Sequence, residues 1–175
     1  NDTLRRGKPS THIKFGESTA ILAGNSLLTL AFEIIADKKF NIDTTVKLNL
    51  IKKLSECAGH VGIAGGQFLD LNYEKKKINS KKIINMQRKK TGKLFEFCCL
   101  APAVIAKKSL KTQKEMSMVG EELGILFQIA DDLLDIKGYK KNTGKPVKKD
   151  KKKGKSTLIK LFGYEKTLGF ALDRK

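Results

Sequence analysis

The chain has 175 residues, enough for one domain with a real core, and carries 36 Lys+Arg against 18 Asp+Glu for a formal charge of +18. That charge raises nucleic acid or an anionic membrane as a partner, but the excess is almost all lysine: the arginines are Arg5, Arg6, Arg88 and Arg174, and aromatics are scarce within the lysine runs. Nucleic-acid readers lean on arginine and on aromatic stacking, so nucleic acid is set aside, while Cys57, Cys98 and Cys99, with no CxxC pair, point to a reducing, cytoplasmic location rather than a disulfide framework.

Residues 1–13 read as a polar loop, because Gly7 and Pro9 block helix. After Gly16-Glu17-Ser18 a mostly apolar helix runs to Ala36. It approaches membrane length, but Asn25 and Glu33 interrupt it, so a buried helix is expected and no stable membrane insertion. A turn follows at Asp37–Asn41. From Thr44 or Thr45 to about Leu71, Val46, Leu50, Leu54, Ala58, Val61, Phe68 and Leu71 keep helical spacing, with Gly59, Gly62, Gly65 and Gly66 inside the helix. Glycines weaken a helix interior, which calls for close approach of a neighbouring helix or a ligand. They make no dinucleotide-binding loop, since no strand precedes them.

Asn72–Ser80 is a charged connector. A third helix covers Lys81–Lys107, interrupted near Pro102, and a fourth covers about Gln113–Ile136. Between Lys137 and Gly154, glycines and lysines replace apolar periodicity, which predicts a mobile loop. Thr157–Phe162 starts another short helix. Strand-like alternation is absent, so the fold class is all-α, a helical bundle.

Inside the fourth helix lies Phe127-Gln128-Ile129-Ala130-Asp131-Asp132-Leu133-Leu134-Asp135, three carboxylates in an apolar run. Asp131 and Asp135, at i and i+4, project from one helix face with Asp132 beside them. Mutual repulsion raises their pKa values or demands a bound cation, and a hard divalent metal is the simplest answer. The basic stretch that follows, with Lys145, Asp150 and Lys155, suggests a polyphosphate bridged to protein by metal. Gly154-Lys155-Ser156 is not a P-loop, because Lys149 stands where the earlier glycine belongs. His12 and His60 are isolated. Lys90-Thr91-Gly92, opening an apolar helix, suits an anion or a plain structural cap equally. Gln67 and Asp70 add a second polar break in the glycine-rich helix, and several such breaks suggest a shared polar cavity.

Taken in order and spacing, these pieces resemble a trans-isoprenyl diphosphate synthase of the farnesyl or geranylgeranyl diphosphate synthase type. The strings are Leu4-Arg5-Arg6-Gly7-Lys8-Pro9-Ser10, Phe15-Gly16-Glu17 through Gly24, Gly66-Gln67-Phe68-Leu69-Asp70, Lys90-Thr91-Gly92, Phe127-Gln128 through Asp135, and Gly144-Lys145-Pro146. The resemblance implies an isoprenoid-synthase-type bundle around a central cavity, a homodimer, and Mg²⁺ held by Asp131, Asp132 and Asp135. It assigns Arg5, Lys90, Thr91, Gln128, Lys145 and Lys155 to the allylic diphosphate and Arg6 to isopentenyl diphosphate. Gln67 and Asp70 line the cavity, Asp150 holds a metal-bound water, and Lys90, Asp131 and Lys145 carry the catalysis. The implied reaction ionises the allylic C–O bond and adds five carbons from isopentenyl diphosphate.

The family's first aspartate-rich motif, which belongs just before the Leu-Arg-Arg-Gly loop, is absent, and so are the C-terminal helices. Lys148 stands where relatives often have glycine. The expectation is therefore a single partial domain over 1–175, the C-terminal two-thirds of a synthase, inactive alone. Two other readings stand beside it: a non-catalytic synthase-like regulatory subunit, and a basic anion-binding module. Product length depends on residues upstream of the first motif.

Overall fold

The computed structural model describes residues 3–5, 7–137 and 155–174. Its N-terminal stretch is not the polar loop expected. Leu4–Arg5 (β1) and Lys8–Pro9 (β2) pair antiparallel, Leu4 opposite Pro9, around Gly7 at φ +76°. Pro9 is tolerated because a two-strand ribbon has only edges. A short helix, Thr11–Phe15 (α1), follows, and Gly16 turns the chain into Glu17–Ala36 (α2).

The expectation that α2 is buried is overturned: none of its residues is buried, and Ile21, Leu22, Leu27 and Ile34 are all more than half exposed. The helix is apolar around most of its circumference, while within one copy its packing partners are α1 and the next helix, Thr44–Ala58 (α3). Among the described residues it is the one helix long and apolar enough to cross a membrane, with a mean hydropathy of 1.6.

Asp43 caps α3 by accepting from the Thr45 and Val46 N–H groups, and these bonds hold its carboxyl below the usual range. The long helix expected to Leu71 splits in two. At Gly62 a Cβ would lie 2.0 Å from the Cys57 carbonyl, so glycine there permits a tight break before Ile63–Tyr73 (α4). The third expected helix is also divided: Ser80–Gln87 (α5), a π-helical turn at Arg88–Gly92, and Lys93–Ile105 (α6). Pro102 sits inside α6 without ending it.

Leu110–Lys137 (α7) is the longest helix, with α6 packed along it. Leu158–Phe162 (α8) is capped by Thr157, and a helix the sequence reading missed, Tyr164–Leu172 (α9), follows. Ile125, Ile129 and Leu133 recur every fourth residue on α7 and meet Ile83 and Met86 of α5 and Leu158 and Ile159 of α8. Each such aliphatic side chain contributes about 1.5–3 kcal/mol when fully withdrawn from water. This core fixes α5 against the carboxylate-bearing end of α7, and the polar residues lie along its margin.

Candidate functional site

Small residues set how closely the helices meet. A Cβ on Gly66 of α4 would lie 2.2 Å from the Lys90 nitrogen, and one on Gly124 of α7 would lie 2.5 Å from the Gly92 Cα. Backbone therefore touches backbone on both sides of the π-turn. A π-turn inserts extra chain into a helix and is held by tertiary contacts rather than by local propensity.

The turn aims its side chains in two directions. Lys90 reaches α4, where its Nζ donates to Asp70 Oδ2 at 2.5 Å. Thr91 reaches α7, where its hydroxyl donates to Gln128 Oε1 at 3.1 Å. Gln128 passes the connection on: its Nε2 donates to Asp132 Oδ1 at 2.9 Å. The other oxygen of Asp132 accepts from Gln87 Nε2, the last residue of α5, at 3.2 Å. Asp70 and Asp132 are 7 % and 5 % exposed, so each carboxylate needs the partners it has.

Five of the sequence-predicted residues thus lie along one seam of α4, the π-turn and α7: Asp70, Lys90, Thr91, Gln128 and Asp132. Asp131 is half-buried and Asp135 is buried on the same helix. Gln67 is exposed on α4, one turn before Asp70, and Arg5 is exposed on β1. Lys155 is half-buried just before α8, where Ser156 donates to the Tyr73 and Lys76 carbonyls. Arg6, Lys145, Lys148, Asp150 and the loop expected at 137–154 fall on or within positions outside the described residues, apart from the backbone of Lys137.

Among the described residues no three His, Cys, Asp or Glu side chains converge closely enough to hold a metal ion as they stand. In donor type the residues fit a hard cation: the trio offers carboxylate oxygens, and no thiol or imidazole accompanies it on this part of α7. Phe95 and Phe127, ring centroids 5.4 Å apart, add an aromatic pair where α6 crosses α7, next to Gln128.

Two groups of polar residues escaped the sequence reading. Gln87 is one; its only signal was a polar residue four before Thr91, in phase with it. The other ties α3, α6 and α7 together around Glu96, which is 3 % exposed and accepts from Lys53 (2.8 Å), Lys93 (2.6 Å) and Ser117 (2.8 Å). Lys93 also bonds Glu121 at 2.6 Å. Burial pushes the Glu96 carboxyl up, but the two ammonium groups and the hydroxyl outweigh it and hold the carboxyl down at about 2. Burial lowers Lys93, yet its bonds to Glu121 and Glu96 leave it above its usual value. Nearby Cys57 is 1 % exposed, and burial raises its thiol.

The fold and its polar seam define an all-α isoprenyl diphosphate synthase architecture. A geranyltransferase from Helicobacter pylori, complexed with magnesium and isoprenyl diphosphate, superposes with a TM-score of 0.90 at 29 % identity, over 99 % of this chain and 56 % of that one. An FPP/GFPP synthase from Zymomonas mobilis does so with a TM-score of 0.83 at 35 % identity, over 99 % of this chain and 58 % of that one. The polyprenyl synthetase family model matches residues 1–169, and the chain belongs to that family. The farnesyl diphosphate synthase of Geobacillus stearothermophilus is 39 % identical over 99 % of this chain and 60 % of its own length. For the geranylgeranyl diphosphate synthase of Cyanophora paradoxa the values are 36 %, 96 % and 56 %. The chain thus spans little more than half the length of these relatives.

Proposed function

We propose that the chain is part of a Mg²⁺-dependent prenyltransferase that condenses an allylic diphosphate with isopentenyl diphosphate, as farnesyl and geranylgeranyl diphosphate synthases do. The observation that carries this reading is the Thr91–Gln128–Asp132 line beside Lys90. It joins, in one polar seam, residues drawn from separate strings of the family pattern.

Asp131, Asp132 and Asp135 would hold Mg²⁺, which when bound supplies Lewis-acid withdrawal of charge from a departing diphosphate. Lys90, Lys145, Lys155 and Arg5 neutralise the allylic diphosphate, Thr91 and Gln128 orient it, and Arg6 holds isopentenyl diphosphate. Gln67 and Asp70 line the cavity, and Asp70 steadies Lys90. The allylic C–O bond breaks with its electron pair leaving on the diphosphate. The isopentenyl double bond then supplies the pair for the new C–C bond, and a proton leaves the carbon next to the resulting cation. No protein nucleophile takes part. Charge neutralisation and positioning supply the rate, and apolar faces such as that of Phe95 and Phe127 keep water from the cation.

The exposed apolar surface of α2 supports a homodimer, and the free state of Cys57, Cys98 and Cys99 supports a cytoplasmic enzyme. Residues 1–175 alone make no product on this reading, because they hold one aspartate-rich motif where the resemblance implies two. The test is product analysis of the full-length protein with dimethylallyl diphosphate, isopentenyl diphosphate and Mg²⁺. Farnesyl or geranylgeranyl diphosphate is the expected product. A well-folded full-length protein that forms neither would make the chain a silent regulatory subunit instead.

A further inference from the structure

Gln87 lies outside every string that carries the family resemblance, yet it is among the most buried polar residues of the protein at 2 % exposure. Its amide is committed to one task. Nε2 donates to Asp132 Oδ2, while Oε1 has no hydrogen-bond partner among the described residues. A buried acceptor left unpaired is a cost, and turning the amide over would set that oxygen against the Asp132 carboxylate, which is worse. The side chain therefore satisfies Asp132 at its own expense.

The placement is repeated one helical turn away. Gln87 and Thr91 are four apart, as are Asp132 and Gln128 on α7, so the two segments meet in antiparallel rungs: Thr91 to Gln128, and Gln87 to Asp132. Gln128 holds one oxygen of Asp132 and Gln87 the other. With both oxygens engaged from different helices, the carboxylate plane has no free rotation about its last torsion. Gln87 also sits at the junction where α5 gives way to the π-turn that carries Lys90. One amide thus couples the position of the lysine-bearing turn to the orientation of the central carboxylate of the trio.

We propose that Gln87 is a positioning residue of the metal–diphosphate site, acting through Asp132 and not on the substrate itself. The proposal rests on the function proposed above. Groups that orient a ligating carboxylate typically change metal affinity by about 10–100-fold when removed.

The experiment measures binding of Mg²⁺ with inorganic pyrophosphate to the full-length protein by titration calorimetry, for the wild type and three variants. Gln87→Met keeps length and flexibility but removes the amide, Gln87→His restores an N–H donor, and Asp131→Ala removes a carboxylate of the trio. Expected is a folded Gln87→Met protein with affinity weakened about tenfold or more, and a Gln87→His protein within a few-fold of wild type. If Gln87→Met binds within twofold of wild type while Asp131→Ala loses binding, the role of Gln87 is refuted and the metal reading stands. Wild-type binding by Asp131→Ala refutes the metal reading itself. Failure of Gln87→Met to fold, or equal losses in the Met and His variants, makes the amide a packing element and overturns the proposal.

Discussion

Lys90 and Asp70, twenty residues apart on different helical segments, meet at 2.5 Å, with the carboxylate buried and the ammonium about one-quarter exposed. The pair therefore has one partner fixed by burial and one that still reaches water. On the proposed function, an incoming diphosphate would share Lys90 without uncovering Asp70. In the full-length protein, Lys90→Met is expected to lower kcat/KM for the allylic substrate by about 100–1000-fold, the scale set by removing one preorganised charge-stabilising donor. Asp70, left buried without its cation, costs a further ~1–3 kcal/mol of stability. Steady-state kinetics and thermal melts read the two losses separately, and an unchanged kcat/KM would remove Lys90 from the catalytic set.

Asp131 and Asp132 are neighbours in different surroundings. Asp131 is half-buried, whereas Asp132 holds two amides at 5 % exposure. Asp131→Ala is expected to abolish turnover. Asp132→Ala is expected to abolish turnover and also lower stability by about 1–3 kcal/mol, because the Gln87 and Gln128 amides lose their acceptor. An Asp132→Ala protein as stable as wild type would show that the amides find other partners.

How much of this could be read beforehand differs from residue to residue. The carboxylate trio and the apolar phase of Ile125, Ile129 and Leu133 share one helix, so local periodicity was enough to place both. Lys90 and Thr91 were visible as residue types, but a continuous helix gives no reason for one to face α4 and the other α7. That divergence comes from the π-turn, which depends on the Gly66 and Gly124 contacts with a distant part of the chain. The break before Ile63 was hidden for the opposite reason: apolar spacing continues through Val61 and Ala64 as though the helix did. Gln87 gained importance from Asp132, 45 residues away, and Glu96 from Ser117, 21 away, as well as from Lys53 and the nearby Lys93. Arg6 and Lys145 were legible in the motifs, and they lie outside the described residues.

The glycine contact between α7 and the π-turn makes a steric prediction. A methyl group on Gly124 would stand 2.5 Å from the Gly92 Cα and 3.3 Å from the Thr91 carbonyl carbon, so the helices must part. Gly124→Ala is expected to destabilise the protein by about 1–3 kcal/mol. It should also raise KM for the allylic diphosphate, because Thr91 moves with the turn. Denaturant unfolding and kinetics check it; a variant as stable as wild type would mean the crossing is looser than its geometry.

The Glu96 cluster predicts an acid-sensitive stability. Its carboxyl lies at about 2 in the folded protein against 4.5 ordinarily, so its contribution is complete above pH 4.5 and fades as pH falls towards 2. A shift of this size corresponds to roughly 3 kcal/mol. Glu96→Gln should lower the melting temperature at neutral pH and flatten the melting profile between those two values. Lys93 works in the other sense: raised when folded, it contributes below its ordinary 10.5 and is lost only as pH rises beyond that. Near neutral pH both contributions are present together. A Glu96→Gln profile parallel to wild type through the acid range would place the acid sensitivity elsewhere.

Helix α2 offers the sharpest choice between two ways of covering an apolar surface. Its length and mean hydropathy of 1.6 suit a bilayer, yet Asn25, Ser26, Thr29 and Glu33 recur along it beside Leu22 and Leu30, lining one shallow groove. An ionisable residue such as Glu33 is costly in hydrocarbon, by some kcal/mol, and tolerable at a protein interface with a polar margin. Leu27 is 67 % and Ile34 56 % exposed, two turns apart on the same side of the helix. Replacing both with glutamate removes apolar contact without touching the polar seam of α4, the π-turn and α7. The full-length wild type is expected to sediment as a dimer and to stay in the aqueous phase with liposomes, and the double variant to sediment at half the mass. Should the wild type float with liposomes instead, the helix meets lipid, and Glu33 must be protonated or paired there.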